Sequence, residues 1–290
     1  MISFPRISAA IAGLCLIGAA LYYYKTHNQA SQNASYQLAD QRFLVKSSYG
    51  FPILSLDKST DEREAPTLPF IVEKLVPIQA TVLHLGAHAG LHTILAAKRL
   101  ENTGKILAFE GHPKLFALLK ENIKFHQLES VVSPFPLLPS SQSEALSICM
   151  DAAPAPSADT TVNAPYEQSL TGSNCYEIQL KPLDSLSLPS IDFILIENNI
   201  DVPAALEGGY ALLEQSNWPP IMIVPSLPLA HTSHQKWIAR LKKQGYYFYQ
   251  LKPTGKTAFT IRQINPHQPP SNGATYLFFS RELLPVSIEK

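Results

Sequence analysis

The stretch VLHLGAHAG, residues 82–90, decides the fold because it joins an apolar run to a turn of small residues. A helical pattern covers residues 91–100 directly after the turn, and a second apolar run covers residues 105–109. A strand, a glycine turn, a helix and a strand in this order are typical of a βαβ unit, whose turn lets the backbone approach a nucleotide-like ligand closely. The stretch therefore predicts a parallel sheet with a ligand site at its carboxyl edge.

The alternation of apolar runs and helical patterns continues along most of the chain. The predicted strands are 81–85, 105–109, 131–137, 191–196, 221–224, 246–251 and 275–279, and the predicted helices are 91–100, 113–126, 203–214 and 231–244. Because such alternation builds βαβ units, we predict an α/β fold with a doubly wound, mostly parallel sheet of seven strands. The last two strands can pair as an antiparallel edge.

A segment rich in Ala, Pro, Ser and Thr, residues 151–174, interrupts this alternation. Strand-like runs flank it at 145–150 and 176–180, so we interpret it as a flexible hairpin insertion. Cys149 and Cys175 lie in or beside these runs, and antiparallel pairing would bring their sulfurs within disulfide distance. We expect the bond in an oxidising compartment and free thiols in the cytosol.

The composition indicates a globular protein and argues against a nucleic-acid-binding protein and a disulfide scaffold. The chain has 290 residues, 23 basic and 23 acidic side chains and a hydrophobic fraction of 46%, which is typical of a globular protein. The balance of charge argues against a nucleic-acid-binding surface. The three cysteines are too few for a disulfide scaffold and show no zinc-binding spacing.

The N-terminus carries a candidate membrane segment. Residues 7–24 are uncharged and bracketed by Arg6 and Lys25, and the tyrosines at 22–24 suit an interfacial position. A cleaved signal peptide is the alternative, but three tyrosines are a poor start for a mature chain. We predict a single-pass anchor over 1–25, a polar stem over 26–42 and a folded domain over 43–290. The flanking charges leave its orientation open.

Glu110 ends the second predicted strand, about twenty residues after the glycine turn. A carboxylate at this place can accept hydrogen bonds from both hydroxyls of an unphosphorylated ribose. Both NAD and S-adenosylmethionine (SAM) carry such a ribose, so the residues themselves leave the two cofactors open. An NAD-dependent oxidoreductase is disfavoured because residues 86–90 keep only the outer glycines of the motif Gly-x-Gly-x-x-Gly.

Two longer stretches resemble the FkbM-type SAM-dependent methyltransferases. Residues 82–123, VLHLGAHAGLHTILAAKRLENTGKILAFEGHPKLFALLKENI, are similar to the family's opening block. Residues 180–213, LKPLDSLSLPSIDFILIENNIDVPAALEGGYALL, are similar to its second block. The resemblance implies a Rossmann-like methyltransferase fold and SAM as cofactor. It also implies methyl transfer to an oxygen of a small-molecule, sugar or lipid-linked substrate.

The resemblance also assigns site residues. The implied cofactor-binding residues are His84, Gly86, Ala87, His88, Gly90 and Glu110, with Asn122 on the family's helix asparagine. In the second block only Glu197 keeps the usual chemistry, because Leu195, Asn199 and Ile200 stand where Lys, Glu and Gly are usual. Glu197 and Asp201 lie at the carboxyl edge of the sheet and are the candidate catalytic residues. A catalytically inactive binding or scaffolding protein is the alternative.

Histidines recur at four-residue spacing in His84, His88 and His92, with His112 expected nearby. The first three span a strand end, a turn and a helix start, so equal spacing does not place them on one face. No cysteine or acid completes a ligand set nearby in the sequence. We therefore predict no metal site.

Overall fold

The computed structural model describes residues 33–38, 41–46, 71–72, 74–150, 174–197, 200–224, 232–255, 258–266 and 276–284. The strands are β1 Asn33–Leu38, β2 Gln41–Lys46, β3 Thr81–Leu85, β4 Lys105–Phe109, β5 Val132–Phe135, β6 Leu138–Pro139, β7 Glu144–Met150, β8 Asn174–Lys181, β9 Phe193–Glu197, β10 Ile221–Val224, β11 Tyr247–Gly255, β12 Ala258–Gln263 and β13 Tyr276–Ser280. The helices are α1 Leu91–Arg99, α2 Pro113–Phe125, α3 Val202–Glu207, α4 Tyr210–Gln215 and α5 Thr232–Lys243, with a 3-10 turn at Leu183–Ser185.

The main sheet has the strand order β12-β11-β13-β10-β9-β3-β4-β5. Its central strands from β10 to β5 are parallel, whereas β13 runs antiparallel to both β10 and β11. The predicted doubly wound, mostly parallel sheet is thus confirmed, with eight strands instead of seven. Strand β12 was missed, and it pairs with β11 at the outer edge.

The last predicted pair of strands does form, but it is not the edge of the sheet. Strand β13 lies inside the sheet between β10 and β11, and all five of its residues are buried. A strand with both faces covered reads as a continuous apolar run, as YLFFS does. Burial on both faces therefore explains why this antiparallel strand occupies an internal position.

Two apolar clusters cover the two faces of the main sheet. Alternate residues along each strand point to opposite faces, so Val82 joins one cluster and Leu83 the other. On the first face the sheet packs against α1 and α2, and on the second against α3, α4 and α5. Burial of both faces fixes the strand register and so fixes which side chains reach the carboxyl edge.

The segment predicted as one helix over 203–214 forms two short helices, α3 and α4, separated by Gly208 and Gly209. A Cβ on Gly208 would lie 1.9 Å from the carbonyl oxygen of Ser140, so the chain passes too close for any side chain there. The Asp184 carboxylate then accepts hydrogen bonds from the N–H groups of Ala211 and Leu212 at the start of α4. Close packing and a new helix cap thus replace the continuous helix.

A second sheet, of order β6-β8-β7, contains the predicted hairpin. Strands β7 and β8 are antiparallel, and Cys149 is the Cα partner of Cys175 in their register. Cys175 is disulfide-bonded. The register makes Cys149 the expected partner, as the sequence predicted. Residues 151–173 of the insertion lie outside the described part of the chain.

Thiol counting tests this pairing. We expect the denatured, unreduced protein, once oxidised in air after purification, to show one reactive thiol, because two of the three cysteines are then in the bond, and all three after reduction. Cys175→Ser should lower the free energy of unfolding by about 2–4 kcal/mol, since the crosslink restricts the unfolded chain. Three reactive thiols before reduction would contradict the pairing.

The predicted anchor, stem and domain boundary at the N-terminus stay predictions. Strands β1 and β2 form an antiparallel hairpin, so the predicted boundary between stem and domain at Phe43 falls inside a strand. Residues 1–25, the predicted anchor, lie outside the described residues. Among the helices that the structure does describe, none is long and apolar enough to cross a membrane.

Candidate active site

The order of strands reverses between β3 and β9. From β3 the chain continues outward through β4 and β5, whereas β9 and β10 lie on the other side of β3. In open α/β sheets, ligands bind outside the carboxyl ends of the strands at such a switch point. His84 lies one residue before the end of β3, and Glu197 is the last residue of β9. The two predicted site residues therefore flank the switch point.

His84, His92 and Glu197 meet there, and we call them the His–Glu cluster. The Nε2 atom of His84 lies 3.2 Å from Oε1 of Glu197, and Nδ1 of His92 contacts the same oxygen. The other ring nitrogen of His84, Nδ1, lies 2.7 Å from the hydroxyl oxygen of Thr93. All three members are at least 97% buried, since none exposes more than 3% of its surface. The cluster is therefore a polar centre inside an apolar core.

Burial and mutual contact set the charges of the cluster. Burial lowers the pKa of His84, which favours its neutral form. Burial alone would raise the pKa of Glu197, but the charge of His92 and the hydrogen bonds of both imidazoles lower it to about 2. Glu197 is thus ionised at neutral pH and a weak proton acceptor. Its Oε1 contacts both imidazoles and so holds them together.

One oxygen of Glu197 remains unused. Oε2 is buried and has no hydrogen-bond partner among the described residues, whereas Oε1 contacts both imidazoles. A buried carboxylate oxygen without a partner is costly. The arrangement therefore leaves acceptor capacity at the centre of the cluster.

Glu110, at the end of β4, joins the two neighbouring turns. Its Oε2 accepts the N–H of His88 at 2.8 Å, and its Oε1 accepts the N–H of His112 at 2.7 Å. Burial raises the pKa of Glu110, while these two N–H groups and His88 act in the opposite direction. Only 1% of the residue is exposed. Each oxygen still has a second lone pair, so the carboxylate can accept from two further donors once the side chains that cover it move aside.

The glycine turn is held by hydrogen bonds to the backbone of β4 and to a side chain of α2. The N–H groups of Gly86 and Ala87 both donate to the carbonyl oxygen of Phe109, at 2.9 and 2.8 Å. Gly86 and Gly90 have φ angles of 79° and 96°, a conformation that favours glycine. The side-chain amide of Asn122 donates to the carbonyl oxygen of Ala89 at 2.7 Å. The turn is therefore a rigid support for the site.

Asp201 and His88 are among the predicted site residues that lie outside the cluster. Asp201 caps α3, where its Oδ1 accepts the N–H of Ala204 at 3.1 Å, and it is exposed. These contacts assign Asp201 to helix capping, and we therefore omit it from the catalytic proposal below. His88 is half-buried with a φ of 50°, and its described contact to Glu110 is through the backbone. His88 is part of the glycine turn and is not a member of the cluster.

The structure brings two of the three regularly spaced histidines together with an acid that lies far away in the sequence. His84 and His92 do converge, and Glu197 supplies the acid that the sequence around them lacks. Glu197 is 113 residues beyond His84, so only the pairing of β9 with β3 brings it close. The position of the switch point could have predicted this contact. His84 and Glu197 were each predicted at a strand end, and the two strands are neighbours at the switch point.

His112 has a structural role at the start of α2. Its Nδ1 accepts the N–H groups of Lys114 and Leu115, at 3.2 and 3.4 Å. Burial and the charge of Lys114 lower the pKa of His112 to about 4. An imidazole that accepts through Nδ1 must be unprotonated there, so the cap is present only in the neutral form.

This cap predicts a pH dependence of stability. Between pH 6.5 and about 4 the unfolded chain takes up a proton at His112 that the folded chain does not, so the free energy of unfolding falls as the pH falls. His112→Asn keeps a capping oxygen but cannot titrate. Between pH 7 and pH 4.5, the free energy of unfolding should fall by about 1–2 kcal/mol less in the variant than in the wild type, after allowance for solvent screening. Parallel pH profiles for both proteins would contradict this.

No family model matches the chain, and no curated protein matches it either. Solved structures to which the chain is similar include methyltransferase FkbM from Methylobacillus flagellatus KT, at 11% identity and a TM-score of 0.45 over 71% of this chain. The chain spans 45% of that protein's length. An O-methyltransferase from Bacillus cereus in complex with SAH is 13% identical, with a TM-score of 0.41 over 91% of this chain and 90% of that one.

A third structure is the O-methyltransferase TomG from Streptomyces achromogenes, involved in tomaymycin synthesis and solved with SAM. It is 11% identical, with a TM-score of 0.42 over 73% of this chain and 77% of that chain. At identities of 11–13% and TM-scores of 0.41–0.45, these similarities assign no activity to this chain. Residue roles have to come from the contacts of this chain.

Proposed function

We propose that this protein is a SAM-dependent methyltransferase that transfers methyl to an oxygen of a sugar or lipid-linked acceptor. The observation that carries the proposal is the juxtaposition at the carboxyl edge. Glu110 closes the glycine turn on one side of β3, and the His–Glu cluster fills the switch point between β3 and β9. The first arrangement suits a ribose-bearing cofactor, and the second suits an acceptor hydroxyl.

The cofactor side rests on Glu110 and the turn before α1. The two ribose hydroxyls of SAM donate to the remaining lone pairs of the Glu110 carboxylate. Helix α1 begins after Gly90 without a side-chain cap, so its first N–H groups can stabilise the carboxylate of the cofactor. Because Glu110 is buried, we expect SAM binding to shift the side chains that cover it.

The acceptor side rests on the His–Glu cluster. In the proposed step the acceptor oxygen forms a bond to the methyl carbon, the bond from that carbon to the sulfonium breaks, and the hydroxyl proton leaves. The electron pair of the broken bond stays on sulfur as a neutral thioether. The proton is taken up at the cluster, where Glu197 supplies the negative charge and the imidazoles supply ring nitrogens.

Calorimetry of the full chain with SAM, with its demethylated product and with NAD tests the proposal. We expect SAM and the product to bind and NAD not to bind. Transfer of a labelled methyl group to a glycan or lipid extract then tests catalysis. Failure to bind SAM would overturn the methyltransferase assignment.

A non-catalytic binding or scaffolding role is the second candidate. The observation in its favour is Leu195, a buried apolar residue on β9 where the resembled family has lysine. SAM binding without transfer to any acceptor in the same extracts would favour this role over catalysis.

The proposal includes membrane attachment through residues 1–25, with the folded domain facing the cytosol, where SAM is made. Deleting these residues should release the protein from membranes without unfolding the domain, because a polar segment separates the apolar run from the first strand of the main sheet. Carbonate extraction and a far-UV spectrum of the truncated protein check this. Carbonate-resistant association of the truncated protein would contradict it.

A further inference from the structure

We propose that the His–Glu cluster binds one divalent transition-metal ion of the Zn²⁺ type. The ligands are Nε2 of His84, Nδ1 of His92 and the carboxylate of Glu197, and one ligand atom from each lies within 4.8 Å of the others. This site does not depend on methyl transfer, because it follows from the side-chain geometry alone.

The spacing of the ligand atoms suits tetrahedral coordination. With metal-to-ligand distances near 2.1 Å, two ligands of a tetrahedral ion lie about 3.4 Å apart. Nε2 of His84 and Oε1 of Glu197 are already 3.2 Å apart. Nδ1 of His92 contacts the same oxygen, so this ring has to move outward to make room for an ion.

The hydroxyl of Thr93 provides the outer hydrogen bond that metal-binding histidines usually have. It lies 2.7 Å from Nδ1 of His84, on the side of the ring away from Glu197. When Nδ1–H donates to this hydroxyl, Nε2 is the unprotonated nitrogen and points at the centre of the cluster. The contact therefore sets the tautomer that coordination needs.

Oε2 of Glu197 gives an independent reason to expect a cation. This oxygen is buried and has no hydrogen-bond partner among the described residues. Buried carboxylate oxygens are normally hydrogen-bonded or coordinate a metal. An ion at the centre of the cluster supplies the missing partner and balances the negative charge of Glu197.

The ligand types select the class of ion. Two imidazoles and one carboxylate are a nitrogen-rich set that Zn²⁺ and similar ions prefer, whereas Mg²⁺ and Ca²⁺ prefer oxygen ligands. Three protein ligands also leave a fourth position for water or substrate, which is the pattern of catalytic zinc sites. On the proposed function, that position would take the acceptor hydroxyl and lower its pKa, and with the ion bound these ring nitrogens would hold the ion instead of accepting the proton.

Metal binding is measured on the full chain, without SAM. Elemental analysis of the purified protein identifies the resident ion, and Zn²⁺ is then titrated by calorimetry into protein stripped with a chelator. We expect one tight equivalent in the wild type and a Kd raised about 100-fold or more in Glu197→Gln, which removes the charged ligand. His126→Gln, at the end of α2 and outside the cluster, is the matched control and should bind as the wild type does.

Thr93→Val covers the case in which Glu197→Gln fails to fold. It keeps the shape of the side chain and removes only the hydroxyl, so we expect a Kd for Zn²⁺ about 10–100-fold higher. Co²⁺ should give the strong visible absorption of a tetrahedral site in the wild type. Zn²⁺ binding that is absent from the wild type, or equal in Thr93→Val and the wild type, would overturn the proposal. SAM binding by the same samples shows whether the proposed function fails separately.

Discussion

Glu197→Gln should reduce methyl transfer about 100-fold or more and leave the affinity for SAM within about twofold. Glutamine keeps the volume of glutamate but removes the negative charge that contacts both His84 and His92. The cluster then no longer favours uptake of the acceptor proton or coordination of a cation. Because Glu110 and the glycine turn are unchanged, the cofactor site keeps its contacts. Single-turnover rates and SAM calorimetry measure the two quantities separately.

Glu207→Gln is the matched control for this experiment. Glu207 lies on the exposed end of α3 and forms a surface ion pair with Arg240 at 3.1 Å. Surface pairs contribute little, so both the turnover and the stability of this variant should stay close to those of the wild type. If Glu197→Gln and Glu207→Gln had equal turnover and both were folded, the His–Glu cluster would take no part in methyl transfer.

The fold was predictable because its signals are local. Strands β4 and β10 and the start of α1 fall where apolar runs and turn residues place them. The errors occur where long-range packing decides the structure. Gly208 breaks a helix because Ser140 lies against it, and β13 enters the sheet because both its faces are covered. Ser140 and the residues that cover β13 are distant in sequence, so a local pattern does not reveal these contacts.

The candidate site was predictable residue by residue but not as a constellation. Polar residues at the ends of apolar runs predicted that His84, Glu110 and Glu197 lie at strand ends. The structure has them there. Their partners were not predictable, because the contact of His92 with Glu197 joins residues that are 105 positions apart in the chain. Asp201 shows the opposite case, since an acid in the expected stretch serves as a helix cap.

Glu110→Ala should weaken SAM binding about 100-fold or more and also lower the free energy of unfolding by about 2–4 kcal/mol. The loss of affinity follows from two charge-assisted hydrogen bonds to the ribose. The loss of stability follows from the N–H groups of His88 and His112, which both donate to this carboxylate and would remain buried without an acceptor. Calorimetry and urea unfolding measure the two effects.

Asp192→Ala is the control that separates the binding of SAM by a carboxylate from its acceptance of backbone N–H groups. Asp192 also accepts a backbone N–H, that of Thr81 at 2.8 Å, but it does so at the opposite end of the sheet and is exposed. We expect this variant to lose about 0.5–1.5 kcal/mol of stability and none of its affinity for SAM. If Glu110→Ala were destabilised yet bound SAM as tightly as Asp192→Ala, then Glu110 would only join the two turns. The ribose contact would then have to be sought elsewhere along the carboxyl edge of β3 and β4.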